Sequence, residues 1–229
     1  MEFLSTTTFW VGLIEIVWIN IILSGDNAVV IALAARSLPP AQQKKAIFWG
    51  SGAAVFLRIV LTVVAAKLLE LPFLQIIGGC LLLWIGTQLL SNEEEGEGEA
   101  KEHGTLAAAV RTILIADLVM SLDNVIAVAA AAHGSTVLLV LGLAISIPLV
   151  IFGSALMIKV MERFPIIVMF GAALIGWVAG ETIANDVSLR DFLAANHWFH
   201  YAAAIAGAVF VLVVGKLLAA RAHRKAAAA

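Results

Sequence analysis

Runs of about twenty apolar residues recur along the whole of this chain, and nothing else in it limits the possible folds so strongly. A helix of that length crosses the ~30 Å hydrocarbon core of a bilayer. The runs fall near residues 10–34, 46–68, 72–90, 112–132, 137–158, 165–184 and 198–219. A water-soluble domain could not hide them: 62% of the residues are hydrophobic and 13% charged, against the usual ~45–50% and ~25%. The mean hydropathy is +1.02. The bilayer is therefore the solvent, and the expected fold class is an all-α membrane protein with seven transmembrane helices.

Punctuation between the runs agrees. Pro39-Pro40 precedes the second run, and Pro72 and Pro165 stand at helix starts, where a missing N–H costs little. Pro148 falls inside the fifth run and predicts a kink. Residues 91–111 form the one substantial connection. They hold Glu93, Glu94, Glu95, Glu97, Glu99 and Glu102 and read as a solvated acidic linker on the cytoplasmic side. The N-terminus has Glu2 and no basic stretch, so the first run reads as a retained span. The single cysteine, Cys80, leaves no internal disulfide and no cysteine-based zinc site. A net charge of −2 without a basic patch gives no reason to expect nucleic acid as a partner.

Basic residues set the orientation. With the N-terminus outside, the cytoplasmic side receives Arg36, Lys44, Lys45, Lys101, Arg111, Lys159, Arg163, Lys216, Arg221, Arg224 and Lys225. The outside receives Lys67 and Arg190, and Arg58 is left within the second span. The C-terminal tail is then cytoplasmic.

The chain also repeats itself. Ser24-Gly25-Asp26-Asn27-Ala28-Val29-Val30-Ile31-Ala32 matches Ser121-Leu122-Asp123-Asn124-Val125-Ile126-Ala127-Val128-Ala129, 97 residues on. Pro72-Phe73-Leu74-Gln75-Ile76-Ile77-Gly78, with Leu81 and Trp84, matches Pro165-Ile166-Ile167-Val168-Met169-Phe170-Gly171, with Leu174 and Trp177, 93 residues on. Each copy holds three spans, and an odd number makes the second copy enter from the opposite side. The expected architecture is two inverted three-helix repeats plus a C-terminal helix: 1–90 the first repeat, 91–111 the linker, 112–190 the second repeat, 191–229 the seventh helix and basic tail. Transporters built this way keep their site near the midplane, at the repeat interface.

Asp26 and Asp123 lie well inside the first and fourth spans, where an ionisable side chain costs a few kcal/mol. Asn27 and Asn124 follow them, and Asn20 and Asp117 stand at equivalent positions six residues upstream. Positions seven apart share a helix face, so Asn20 underlies Asn27 and Asp117 underlies Asn124. A lone Asn or Asp in a helix bundle is ordinarily interhelical glue. Three Asp and three Asn placed by a repeat point instead to an ion pathway. Their oxygen-only chemistry suits Mg²⁺, Ca²⁺ or Mn²⁺. Three carboxylates leave a divalent ion overbalanced by one charge, which a proton or Arg58 would cover. Gly25 would loosen the first helix beside Asp26 and free carbonyls for the ion. Glu15, three turns from Asp26, is an exit-side carboxylate or an interfacial one. Glu181 and Asp186 read as interfacial, His133 as a loop residue, and the six tryptophans mostly as interface anchors.

At these residues the chain resembles a known family. Asn20-Ile21-Ile22-Leu23-Ser24-Gly25-Asp26-Asn27 is similar to the first signature of the TerC family of integral membrane proteins, and Asp117-Leu118-Val119-Met120-Ser121-Leu122-Asp123-Asn124 to its second. The likeness covers about 10–185 and lies nearest the shorter, YjbE-type branch. It implies a bacterial plasma-membrane protein that exports Mn²⁺ from the cytoplasm, with Asp26, Asn27, Asp117, Asp123 and Asn124 as the ion site and Mn²⁺ as substrate, not cofactor. The chain departs from the pattern at Asn20, where many members carry Glu.

Three functions fit. The first is a secondary transporter exporting Mn²⁺ by alternating access. The second is an efflux carrier for another solute, although an oxyanion would need more than one buried arginine. The third is a membrane partner, touching the secretion machinery, that hands metal to exported enzymes. A homodimer fits each. With no nucleophile–base set, phosphate-binding glycine loop or zinc motif, an enzyme is not expected.

Overall fold

The structure is a computed structural model that describes residues 7–23, 25–68, 71–95, 105–132 and 135–227. Every regular element among them is helical: α1 Thr7–Leu23, α2 Gly25–Arg36, α3 Pro40–Leu68, α4 Leu74–Glu95, α5 Leu106–Ala131, α6 Thr136–Arg163, α7 Ile166–Ala184, a 3-10 turn Val187–Leu189, α8 Arg190–Ala195 and α9 Trp198–Ala227. Five of them, α3, α4, α6, α7 and α9, contain stretches long and apolar enough to cross a membrane, and α1 adds a shorter apolar stretch, Trp10–Ile19.

Two expectations change. The run 10–34, expected as one span, is divided between α1 and α2, with Ser24 between them outside the described residues. Asn20 and Asn27 therefore belong to different helices. The linker expected over 91–111 is shorter, because α4 continues through its first glutamates to Glu95 and α5 begins at Leu106. Glutamate is a good helix former, so the acidic run prolongs the helix. Residues 96–104 of that linker, with Glu2 and His133, lie outside the described residues.

Local chemistry accounts for the helix ends. Thr105 accepts the Ala108 N–H and caps α5, and Ser135 does the same for α6 with Leu138. Pro40 takes the first position of α3. One turn on, the Gln43 side-chain amide donates to the carbonyls of Arg36 and Leu38 at 3.2 and 3.0 Å, closing the end of α2. Pro148 lies within α6, which is continuous from Thr136 to Arg163.

The closest packing joins helices far apart in the chain. On α3, Gly50 lies against Ile113 of α5, and further along Arg58 bonds to Asp117 and Ser121, so α3 and α5 run parallel. On α6, Gly142 lies against Ile16 of α1 and Gly153 against Ala28 of α2, so α6 runs parallel to that pair. Gly79 and Gly86 of α4 meet Ile183 and Ile175 of α7, an antiparallel contact. In α7, Gly176 and Gly180 lie against the backbone of Gly207 and Ala203 in α9, again antiparallel. Large apolar side chains such as Phe56, Phe152, Phe170, Tyr201 and Val209 face outward along the helices, as lipid contact requires and water would penalise. Trp10, Trp18, Trp49, Trp84 and Trp198 are exposed too, while Trp177 is half-buried.

Candidate functional site

Asp26 stands in the first turn of α2. The leading N–H groups of a helix have no preceding turn to bond to, and they form the positive end of its dipole. Asp26 answers both conditions: it is half-buried, and its Oδ1 accepts the Asn27 N–H at 2.7 Å. Asn27 is 2% exposed, with its Oδ1 enclosed. Gly25 is exposed, with open space where a side chain would be.

Facing this turn is a buried ion pair that joins α3 to α5. Arg58 is 4% and Asp117 6% exposed. Arg58 Nη2 donates to Asp117 Oδ1 at 2.5 Å, and Nε donates to the Ser121 hydroxyl at 2.9 Å. That hydroxyl donates to Asp117 Oδ2 at 3.1 Å, which closes a ring of three side chains. Asp117 and Ser121 are four apart on α5 and so share one face. Asp26 lies within electrostatic reach of both Arg58 and Asp117. α2 packs directly on α5, so the helices carrying the two matching segments are neighbours.

The structure thus brings Asp26, Arg58 and Asp117 into one electrostatic cluster, with Asn27 enclosed beside Asp26. Asn124 is half-buried on α5, about two turns beyond Asp117. The side chains of Asn20 and Asp123 lie outside the described residues. Glu15 is exposed on α1. Among the described residues no three Asp, Glu, His or Cys side chains gather closely enough to hold a metal by themselves. An open groove lined by Trp49, Leu106, Val110 and Arg111 contains none of the candidate residues.

Sequence reasoning passed over Ser121, the residue that completes the ring. The available signal was its place four residues after Asp117. It also passed over the role of Asp186, which follows the end of α7. Its carboxylate accepts the N–H groups of Phe73, Gln75 and Ile76 at 3.0, 3.1 and 3.2 Å, and so caps α4 from another part of the chain.

A family profile described as integral membrane protein TerC family matches residues 5–224. The chain belongs to the TerC family. The resemblance read from the two signatures is borne out, and this TerC protein is a multi-pass integral membrane protein with bacterial membrane relatives. It is 46% identical over 188 residues to YjbE of Bacillus subtilis, an uncharacterized membrane protein; that match covers 82% of this chain and 86% of YjbE. It is 32% identical over 145 residues to YoaE of Escherichia coli K12, a UPF0053 inner membrane protein, covering 55% of this chain and 28% of YoaE. YkoY of Bacillus subtilis, another uncharacterized membrane protein, is 24% identical over 212 residues, covering 83% of this chain and 65% of YkoY. No solved structure matches the chain.

Proposed function

We propose that this TerC protein is a secondary transporter that exports a divalent cation, Mn²⁺ foremost, from the cytoplasm by alternating access. The observation that carries this reading is the half-buried Asp26 carboxylate, at a helix start, beside a second buried carboxylate on the repeat-equivalent helix. Carboxylates in a membrane bundle are costly, and an ion pathway is the standard reason to keep them. Asp26, Asn27, Asp117, Asp123 and Asn124 are the cargo ligands in this reading, with Asn20 beside them. The ligands are oxygens, which suits Mn²⁺, Mg²⁺ or Ca²⁺. An anionic cargo is disfavoured, because the positive charge of Arg58 is already matched by Asp117.

The reading includes seven spans, two inverted repeats and an N-terminus outside. What supports it is the pairing of helices. Exchanging the halves turns α3 against α5 into α6 against α1 and α2, with the parallel direction kept, while α4 against α7 maps onto itself. α5, at 26 residues, has a length of about 39 Å and can cross the bilayer core.

The test is Mn²⁺ flux in proteoliposomes. Asp26→Ala and Asp123→Ala are each expected to reduce flux to near background while the protein remains folded. Undiminished flux in both would sink the proposal.

A further inference from the structure

Both oxygens of Asp117 are in use. Oδ1 takes the Arg58 guanidinium and Oδ2 takes the Ser121 hydroxyl, which is itself held by Arg58 Nε. A divalent cation ligates carboxylate oxygen at about 2.0–2.6 Å, which would set its double positive charge beside the Arg58 guanidinium on the same carboxylate. Two cations on one buried carboxylate repel, and each weakens the other's hold on Asp117.

Resting on the transport reading above, we infer that Arg58 is a tethered competitor for the cargo. It holds the Asp117 carboxylate while the site is empty, and it yields it as the divalent cation arrives beside Asp26. The arginine thereby sets how tightly the ion is held and how readily it leaves.

Three features favour this over a purely structural pair. A buried ion pair is a poor source of stability compared with apolar packing, so its retention asks for another role. The charges also favour it: Asp26 and Asp117 carry formal charges of −2 against +1 on Arg58, so the cluster keeps a net negative charge that attracts a cation. The other half of the chain, finally, lacks both members together. Asn20 stands where Asp117 would be. The facing helix α6 has no basic residue from Thr136 to Ile158. Carboxylate and arginine come as a set. Ser121 gives the guanidinium a second acceptor, which keeps it close after Asp117 is surrendered.

The experiment is a Mn²⁺ titration of the purified full-length chain in nanodiscs, paired with flux in proteoliposomes. Arg58→Gln is expected to bind Mn²⁺ roughly tenfold tighter, a coupling of ordinary size, and to transport it more slowly because release is impaired. Arg58→Lys keeps the charge and is expected to stay much nearer the wild type. A loss of mere structural support would weaken binding. Folded Arg58→Gln protein that binds Mn²⁺ no tighter than wild type therefore overturns the inference. If Arg58→Gln does not fold, Ser121→Ala carries the test. It loosens the arginine's hold by removing one oxygen, and binding there that is equal or weaker overturns the inference. Failure of the transport reading looks different: the wild type itself would neither bind nor move Mn²⁺.

Discussion

Asp186 accepts the N–H groups of Phe73, Gln75, Ile76 and Ser188, and the hydroxyl of Ser188, while only 1% exposed. Phe73 has a φ of 68°, a left-handed conformation that a bulky residue seldom adopts. The carboxylate holds that turn together and supplies the start of α4 with the acceptor its free N–H groups need. Burial pushes the Asp186 carboxyl up, but the hydrogen bonds from Ser188, Phe73 and Ile76 outweigh it and hold the group at about 2, from an ordinary 3.8. The folded value lies below the unfolded one, so the stabilisation is complete above about pH 4 and is lost as pH falls towards 2. Asp186→Asn is expected to lower unfolding stability by about 2 kcal/mol at neutral pH. The difference from wild type should shrink as the pH is lowered through that range. Denaturant titrations in detergent at several pH values measure it, and a pH-independent difference would contradict the account.

At the scale of elements, the C-terminal helix acquires a role that the chain pattern did not reveal. Without a hydrophobic drive between helices in lipid, close approach of backbones supplies the attraction, and small residues permit it. Gly176 and Gly180, four apart on α7, meet Ala203 and Gly207 on α9, and a Cβ at Gly180 would strike the Ala203 carbonyl. α9 also runs along α4, with Val211 against Gly86 and Leu90 against Gly215. It thus braces α4 and α7 together. Gly180→Val is expected to cost about 1–3 kcal/mol by overpacking, read as a lower thermal midpoint in detergent. Gly52→Val, where open space would receive the side chain, should change it little. Equal effects would count against the α7–α9 contact. The division between α1 and α2 belongs to this scale too. Gly25 and Asp26, a permissive residue and a helix-starting one, stand where the apolar run continues unbroken, so hydropathy alone reads across them.

For the whole molecule, the relative helix directions make a topological prediction. Ser37, between α2 and α3, and Ala194, on α8, are both exposed. Five helices, α3 to α7, separate them. In a Cys80→Ser background, Ser37→Cys is expected to react with an impermeant maleimide only from the cytoplasmic side, and Ala194→Cys only from outside. Labelling of both from one side would overturn the odd number of crossings. The reversed pattern would overturn the orientation taken from the basic residues.

By itself the sequence determined the helical membrane class, the family, and the places where carboxylates and amides interrupt apolar runs. Each of these is written in local pattern: run length, repeat spacing, or a polar residue among apolar ones. It left Arg58 as a counter-charge to the intramembrane carboxylates without saying which one it meets, Asp186 as interfacial and the last helix without a function. Tertiary structure decided those three, because each depends on residues far apart in the chain. Arg58 meets Asp117 across 59 residues, and Asp186 meets Gln75 across 111. Such contacts arise only when the helices pack, and packing in lipid depends on which small residues let which backbones come close.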